Sequence, residues 1–336
     1  MMFADMHCDT LCFGYRDGVE RIYDGEGMQS LRKMHAAGQL LQFFAVYFPG
    51  EQGFRRMFGK PDGKGGRLVP EDADFYREAR QNLLTAVKAH SDIAAMAGNA
   101  ADVRRNHAGG RVSAVLTIED GRLLQGELTR LGDWQRDGVR AVGLLWNREN
   151  CLGYPNSADP VENAKGLKPF GCEAVEEMER LGMLVDVSHL NDGGTRDVLR
   201  IARRPFIASH SGARAVTSHP RNLPDELIRG IAEKGGIGGV NFFQTFAVPD
   251  GAADTETRVL HLVLHLQHMF RVGGEDYPAI GTDFDGFEGT PEIGRPEQME
   301  LLFSALSRAG FHERQIEKIA YGNVLRVMEE LDGFAG

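Results

Sequence analysis

Eight short apolar runs alternate along this chain with segments of helical spacing, and that alternation leaves few folds open. The runs are Phe3–Asp9, Leu40–Phe48, Arg111–Glu119, Val139–Leu145, Met183–Val187, Phe206–Ser209, Ile237–Asn241 and Ala279–Thr282. Strands buried on both faces read in this near-continuous apolar way. Helices fit Ser30–Ala37, Glu71–Ala97, Gly171–Leu181, Leu223–Lys234, Arg258–Val272 and Pro296–Ala309. Within Glu71–Ala97, residues Phe75, Ala79, Leu83, Val87 and Ala94 fall near one helical face. Strands alternating with helices imply a parallel sheet. Eight of them in 336 residues predict an α/β fold of the (β/α)8 TIM-barrel type, one domain over residues 1–336. A doubly wound open sheet would need a phosphate-binding glycine fingerprint after the first strand, and none is there. Gly50–Pro70, rich in Gly, Lys and Arg, is expected to be a surface loop.

Composition narrows the partners. A net charge of −10 without basic clustering argues against nucleic acid and against an anionic membrane surface. No run approaches the roughly 18 apolar residues of a spanning helix. Cys8, Cys12, Cys151 and Cys172 form no CxxC pair, as expected of free thiols in a reducing compartment. The candidate site residues start at His7, leaving no room before them for a secretory signal, so cytoplasmic residence is the expectation.

The polar residues at the ends of these strands carry the chemistry. Active groups in such a barrel sit at the C-terminal strand ends. There this sequence places His7 and Asp9, Glu119, His189, His210 and Asp283, with Arg221 further on. His7 and Asp9 are two apart on a strand, so both point to one face and can hold one ion, while Cys8 between them points away. Histidines and carboxylates converging at one rim make a two-metal hydrolytic site.

Six short motifs in order carry a family resemblance across nearly the whole chain. They are Asp5-Met6-His7-Cys8-Asp9, Ile118-Glu119-Asp120-Gly121, Asp186-Val187-Ser188-His189, Ser209-His210-Ser211, Arg221-Asn222-Leu223-Pro224-Asp225 and Gly281-Thr282-Asp283-Phe284-Asp285-Gly286. In these the chain resembles the membrane (renal) dipeptidases, zinc-dependent peptidases of the amidohydrolase superfamily. The resemblance implies two Zn2+ per chain, one on His7 and Asp9, the other on His189 and His210, with Glu119 bridging. It implies that Arg221 binds the terminal carboxylate of a small dipeptide. Asp283 would handle the proton of the attacking water without being a ligand. Tolerance of a D-residue on the C-terminal side is implied too, and a homodimer is the expectation from fold and family.

The chemistry of the residues agrees with these roles. A carboxylate can span two cations about 3.5–4 Å apart, and zinc brings the pKa of water from about 16 to about 7. Arginine offers a planar fork that matches a carboxylate. Other divalent metals would suit the same donors. Asp120 competes with Glu119 for the bridge, Asp285 with Asp283, and Arg214 with Arg221. Where some family members carry a substrate-binding histidine after the fourth strand, this chain has Trp146. Carbonyl-oxygen stabilisation would then fall to zinc, Asn147, Arg148 or the Trp146 indole N–H. His261, His265 and His268 share a helix and are expected to be structural or solvent-facing. The alternative activities are hydrolysis of N-acyl amino acids or cyclic amides; a non-catalytic metal-binding barrel is the remaining class.

Overall fold

The computed structural model describes residues 1–51, 53–54 and 71–331. Most of the Gly50–Pro70 stretch, expected to be loop, lies outside the described residues. The strands are β1 (Ala4–Cys8), β2 (Leu41–Val46), β3 (Ala94–Met96), β4 (Val112–Ile118), β5 (Val139–Gly143), β6 (Leu184–Asp186), β7 (Ile207–Ala208), β8 (Ile237–Val240) and β9 (Pro278–Ile280). All pair in parallel, in the order β1-β2-β4-β5-β6-β7-β8-β9, with β3 off the path on β4. The ring closes where Cys8 bridges Phe284, through Asp9 N–H to the Phe284 carbonyl (2.9 Å) and Asp283 N–H to the His7 carbonyl (3.2 Å). Eight strands in one parallel ring, with helices between, make the (β/α)8 barrel expected from the sequence.

One element differs. The helix expected over Glu71–Ala97 ends at Ala89, and Ala94–Met96 forms β3. Ala94 is buried, as its apolar character suggested, but it pairs with Val112 in the sheet. The buried face of Asp72–Ala89 is Phe75, Tyr76, Ala79, Leu83, Ala86 and Val87. Three residues are too few to show a strand period.

Period-two alternation divides the core. Ala4, Met6, Leu41, Phe43, Val115, Ala141, Leu184, Ile207, Ile237 and Ala279, drawn from every strand of the ring, form one apolar cluster. It fills the barrel interior and meets Val324, Val327, Met328 and Leu331 of the C-terminal segment. Their alternates, such as Phe44, Val46, Leu116, Ile118, Val142, Val185, Ala208, Val240 and Ile280, pack in the other cluster against the helices. This phase decides which residue at each strand end looks into the barrel mouth.

Candidate metal centre and anion site

Glu119 keeps the phase. Val115 faces the interior, Thr117 and Glu119 follow it at intervals of two, and Glu119 N–H stays tied to the Val46 carbonyl (3.1 Å). His7 breaks it. Ala4 and Met6 belong to the interior cluster, so strict alternation would turn His7 outward. Between Asp5 and Cys8 the register against β2 shifts by one residue, which re-aims His7 into the mouth. Cys8 then joins the outer core, facing away from His7 as expected. Asp9 stands at the N-cap of the helix Thr10–Asp17 yet makes no capping bond. His189 and Asp283 are turned by a third device, backbone in the left-handed region (φ 68° and 63°). Such conformations cost about 1–3 kcal/mol each for non-glycine residues. At His189 the turn is braced by Asn156, whose backbone and side-chain N–H groups both donate to the His189 carbonyl (2.8 and 3.1 Å).

Six of the expected groups converge tightly. Glu119 Oε1 lies 3.0 Å from His189 Nε2, 3.5 Å from His210 Nε2 and 3.7 Å from His7 Nε2. His7 Nε2 is 3.7 Å from Asp9 Oδ1 and 3.9 Å from Asp283 Oδ1. Ligand atoms within 4.8 Å of one another form the triples His7–Asp9–Glu119, Glu119–His189–His210 and His7–His210–Asp283. The first two share Glu119. All six residues are buried.

The donors fit divalent metal. His7 Nε2, Asp9 Oδ1 and Glu119 Oε2 are buried without a hydrogen-bond partner, a costly state unless a cation meets them. The Nε2 atoms of His189 and His210 face each other at 3.1 Å. His189 Nδ1 lies 3.0 Å from Asn147 Oδ1, and His210 Nδ1 lies 2.7 Å from Ser209 Oγ. Protons on those Nδ1 atoms leave two lone pairs opposed, which a cation resolves. Charge agrees: burial opposes protonation of His7, but Glu119, Asp9 and Asp283 outweigh it and push its pKa up to about 10. Burial, then Asp9, hold the Glu119 carboxyl well above its usual range. Burial, with the nearby Arg221, drives His189 and His210 well below theirs.

The competing residues separate. Asp120 accepts from Arg122 N–H (3.0 Å) and Asn150 Nδ2 (2.9 Å), away from the cluster. Asp285 accepts from Thr10 Oγ1 (2.7 Å) and Met28 N–H (2.7 Å) and lies 3.4 Å from Arg21, so it fixes neighbouring loops. Arg214 forks onto Asp192 (2.6 and 2.7 Å). Arg221, only 4% exposed, has no carboxylate within ion-pair distance among the described residues. Its fork donates to Ser211 Oγ (3.1 Å) and the His210 carbonyl (3.3 Å), its Nε has no partner, and Phe246 lies 5.4 Å below. Burial lowers its pKa, opposed by Asp283 and Glu119. A buried guanidinium on neutral partners is an uncompensated charge that an incoming anion could pair.

Trp146 is half-buried at the rim, 6.4 Å from the His189 ring, with Tyr47 edge-on to it at 4.8 Å. Asn147 spends its oxygen on His189. His265 is fully buried and structural: its Nδ1 accepts from Ala213 N–H (3.0 Å) and its Nε2 meets the Ala247 carbonyl (3.1 Å) and Thr217 Oγ1 (3.1 Å). His261 and His268 pair with Asp254 and Asp225. Sequence reasoning missed Asn241, whose Nδ2 donates to Asp283 Oδ2 (2.9 Å). The strand-end rule that found the acids would have found it, since Asn241 follows β8 directly. Burial raises Asp283 to about 6, against the pull of His7.

Comparison with known proteins agrees with this geometry. The family model described as membrane dipeptidase, peptidase family M19, matches residues 1–335. A Rhodobacter sphaeroides metallopeptidase, solved with a phosphinate mimic of the dipeptide L-Ala-D-Ala, is 29% identical with a TM-score of 0.88 over 98% of this chain and 99% of that one. A dipeptidase of the same peptidase family superimposes with a TM-score of 0.86 at 30% identity, over 98% of each chain. An uncharacterised protein of the pqqA 5′ region of Klebsiella pneumoniae is 33% identical over 239 residues, 69% of this chain and 87% of that protein.

Proposed function

This chain belongs to the membrane dipeptidase family and is a metal-dependent dipeptidase, and from that premise we propose a binuclear zinc mechanism with the residue roles that follow. His7 and Asp9 would hold one ion and His189 and His210 the other, with Glu119 shared. The three orphaned donors and the opposed imidazole lone pairs support that division. When bound, the two ions supply Lewis acidity toward the scissile carbonyl and a water acidic enough to attack near neutral pH. The donor set would also accept manganese, iron or cobalt.

The protein's own residues do the rest. Arg221 receives the substrate's terminal carboxylate, which favours a free C-terminus one residue beyond the scissile bond. That buried guanidinium without a carboxylate partner carries the substrate reading. Asp283, oriented by Asn241 on Oδ2, keeps Oδ1 toward the cluster, 3.9 Å from His7 Nε2. It takes a proton there from the attacking water and returns it to the leaving amine. Trp146, with Tyr47 edge-on to it, lies beside the His189 ring and would shield that flank from bulk water. Substrates would include dipeptides with a C-terminal D-residue, in keeping with the mimic bound by the Rhodobacter relative. The four cysteines are free, in keeping with cytoplasmic residence. No helix among the described residues is long and apolar enough to cross a membrane.

The test is hydrolysis of a panel of L-L and L-D dipeptides beside N-acetyl amino acids and cyclic amides, with metal content measured on the same sample. Dipeptide turnover with about two metals per chain is expected. Turnover confined to acylated or cyclic amides would overturn the substrate assignment.

A further inference from the structure

Ser209 lies inside the barrel mouth between a carboxylate and a candidate ligand. Asp186 Oδ1 accepts from the backbone N–H groups of Ser188 and Ser209, both at 2.9 Å. Its other oxygen accepts from the Ser209 hydroxyl. A carboxylate can only accept, so the single hydroxyl hydrogen of Ser209 is committed to Asp186. The oxygen of Ser209 is left as acceptor, 2.7 Å from His210 Nδ1. Ser188 Oγ, 3.3 Å from Ser209 Oγ, can donate to the same oxygen and accepts from the His210 backbone N–H (3.1 Å). The bonds therefore have one direction: His210 Nδ1–H to Ser209, Ser209 O–H to Asp186.

We propose that Asp186 and Ser209 are positioning residues that hold His210 as its Nδ1–H tautomer and thereby set the affinity of the His189/His210 metal site. With Nδ1 protonated, Nε2 is bare and faces Glu119 Oε1 at 3.5 Å. Without the relay, the ring could place its proton on Nε2, where it would block the metal, or flip. Partners of this kind change metal affinity by about 10–100-fold when removed. The role rests on the binuclear reading above. It goes beyond it by naming a relay that touches neither substrate nor metal and acts on one site of the two, since His7 and Asp9 make no bond to it.

The experiment is metal retention by the full-length holoenzyme against a graded chelator, with zinc counted per chain. Ser209→Ala should release one of two ions at a free chelator level about 10–100-fold lower than wild type, with the second ion unchanged. Ser209→Thr, which keeps the hydroxyl, should restore it. Asp186→Asn should follow Ser209→Ala if it folds; the serine pair decides the matter if it does not. Retention of both ions at the wild-type level, or equal loosening of both, would overturn the relay. The nitrogen-15 shifts of His210 in metal-free protein give a reading independent of stoichiometry. Nδ1–H in wild type and a tautomer mixture in Ser209→Ala are expected, and an unchanged tautomer refutes the idea. Should wild type bind a single ion, the binuclear reading fails while this measurement still judges the relay.

Discussion

Replacing Arg221 with methionine should separate catalysis from stability, because the two are set in opposition at this residue. The fork now rests on neutral acceptors, Ser211 Oγ and the His210 carbonyl, and bound substrate would add a carboxylate. Hydrogen bonds to charged partners are worth about 1.5–3 kcal/mol each, so losing a two-pronged contact costs about 3–6 kcal/mol. At about 1.4 kcal/mol per decade, kcat/KM for a free dipeptide should fall by about 10²–10⁴-fold. A C-terminally amidated dipeptide lacks the anion and should lose less than about tenfold. Stability should move the other way. Burial already disfavours the Arg221 cation, and methionine removes that penalty, of several kcal/mol for a buried ion, while giving up two charge-assisted bonds of about 1.5–3 kcal/mol each. The melting temperature of the metal-loaded variant should therefore match or exceed wild type. The assays are steady-state kinetics on the matched acid and amide, and thermal denaturation. Equal loss on both substrates, or a marked fall in melting temperature, would show Arg221 to be structural.

Glu119→Gln should lower metal content and turnover together, because the amide removes the charge that draws both ions; full activity with full occupancy would remove the bridging role. Asp283→Asn should leave two ions in place and cut kcat by about 10²–10⁴-fold, the usual weight of a general base, and loss of metal would make it a ligand. His265 predicts an acid-sensitive fold. Burial lowers its pKa from 6.5 to about 4, so the unfolded chain binds a proton that the folded one refuses, and stability falls by about 3 kcal/mol as pH drops from 6.5 to 4. Denaturant titrations of His265→Gln should show a flatter profile across that window and lower stability at neutral pH; an unchanged slope would refute the linkage.

The barrel was legible because its strands announce themselves as apolar runs, each followed by a polar group. Glu119 could be located by alternation alone. His7 and His189 could not: the interior phase of Ala4, Met6 and Leu184 points them the wrong way until a register shift or a left-handed residue intervenes. Their place at the strand ends and the motif order supplied those two, where strict alternation would have rejected them. On paper only the Arg221-Asn222-Leu223-Pro224-Asp225 motif set Arg221 ahead of Arg214, and the physical reason, the Asp192 partner that occupies Arg214, is reached only through folding. Asn241 and Asn147 each act on a group 42 residues away; the strand-end position marks Asn241 as a candidate, but which group either one serves shows only when the strands are side by side.

The closing seam has a consequence for biogenesis. Asp5 accepts from Thr282 N–H and Oγ1–H at 2.8 and 2.7 Å across 277 residues, and His7 is held through its carbonyl by Asp283 N–H. Translation therefore delivers His7 and Asp9 first, and the backbone that fixes them almost last. A ribosome-bound chain carries every proposed metal donor long before it can hold them in place, and loop closure on this scale is slow. Metal capture becomes a late checkpoint: a product truncated before Thr282 keeps every proposed ligand and still lacks the seam that locks His7.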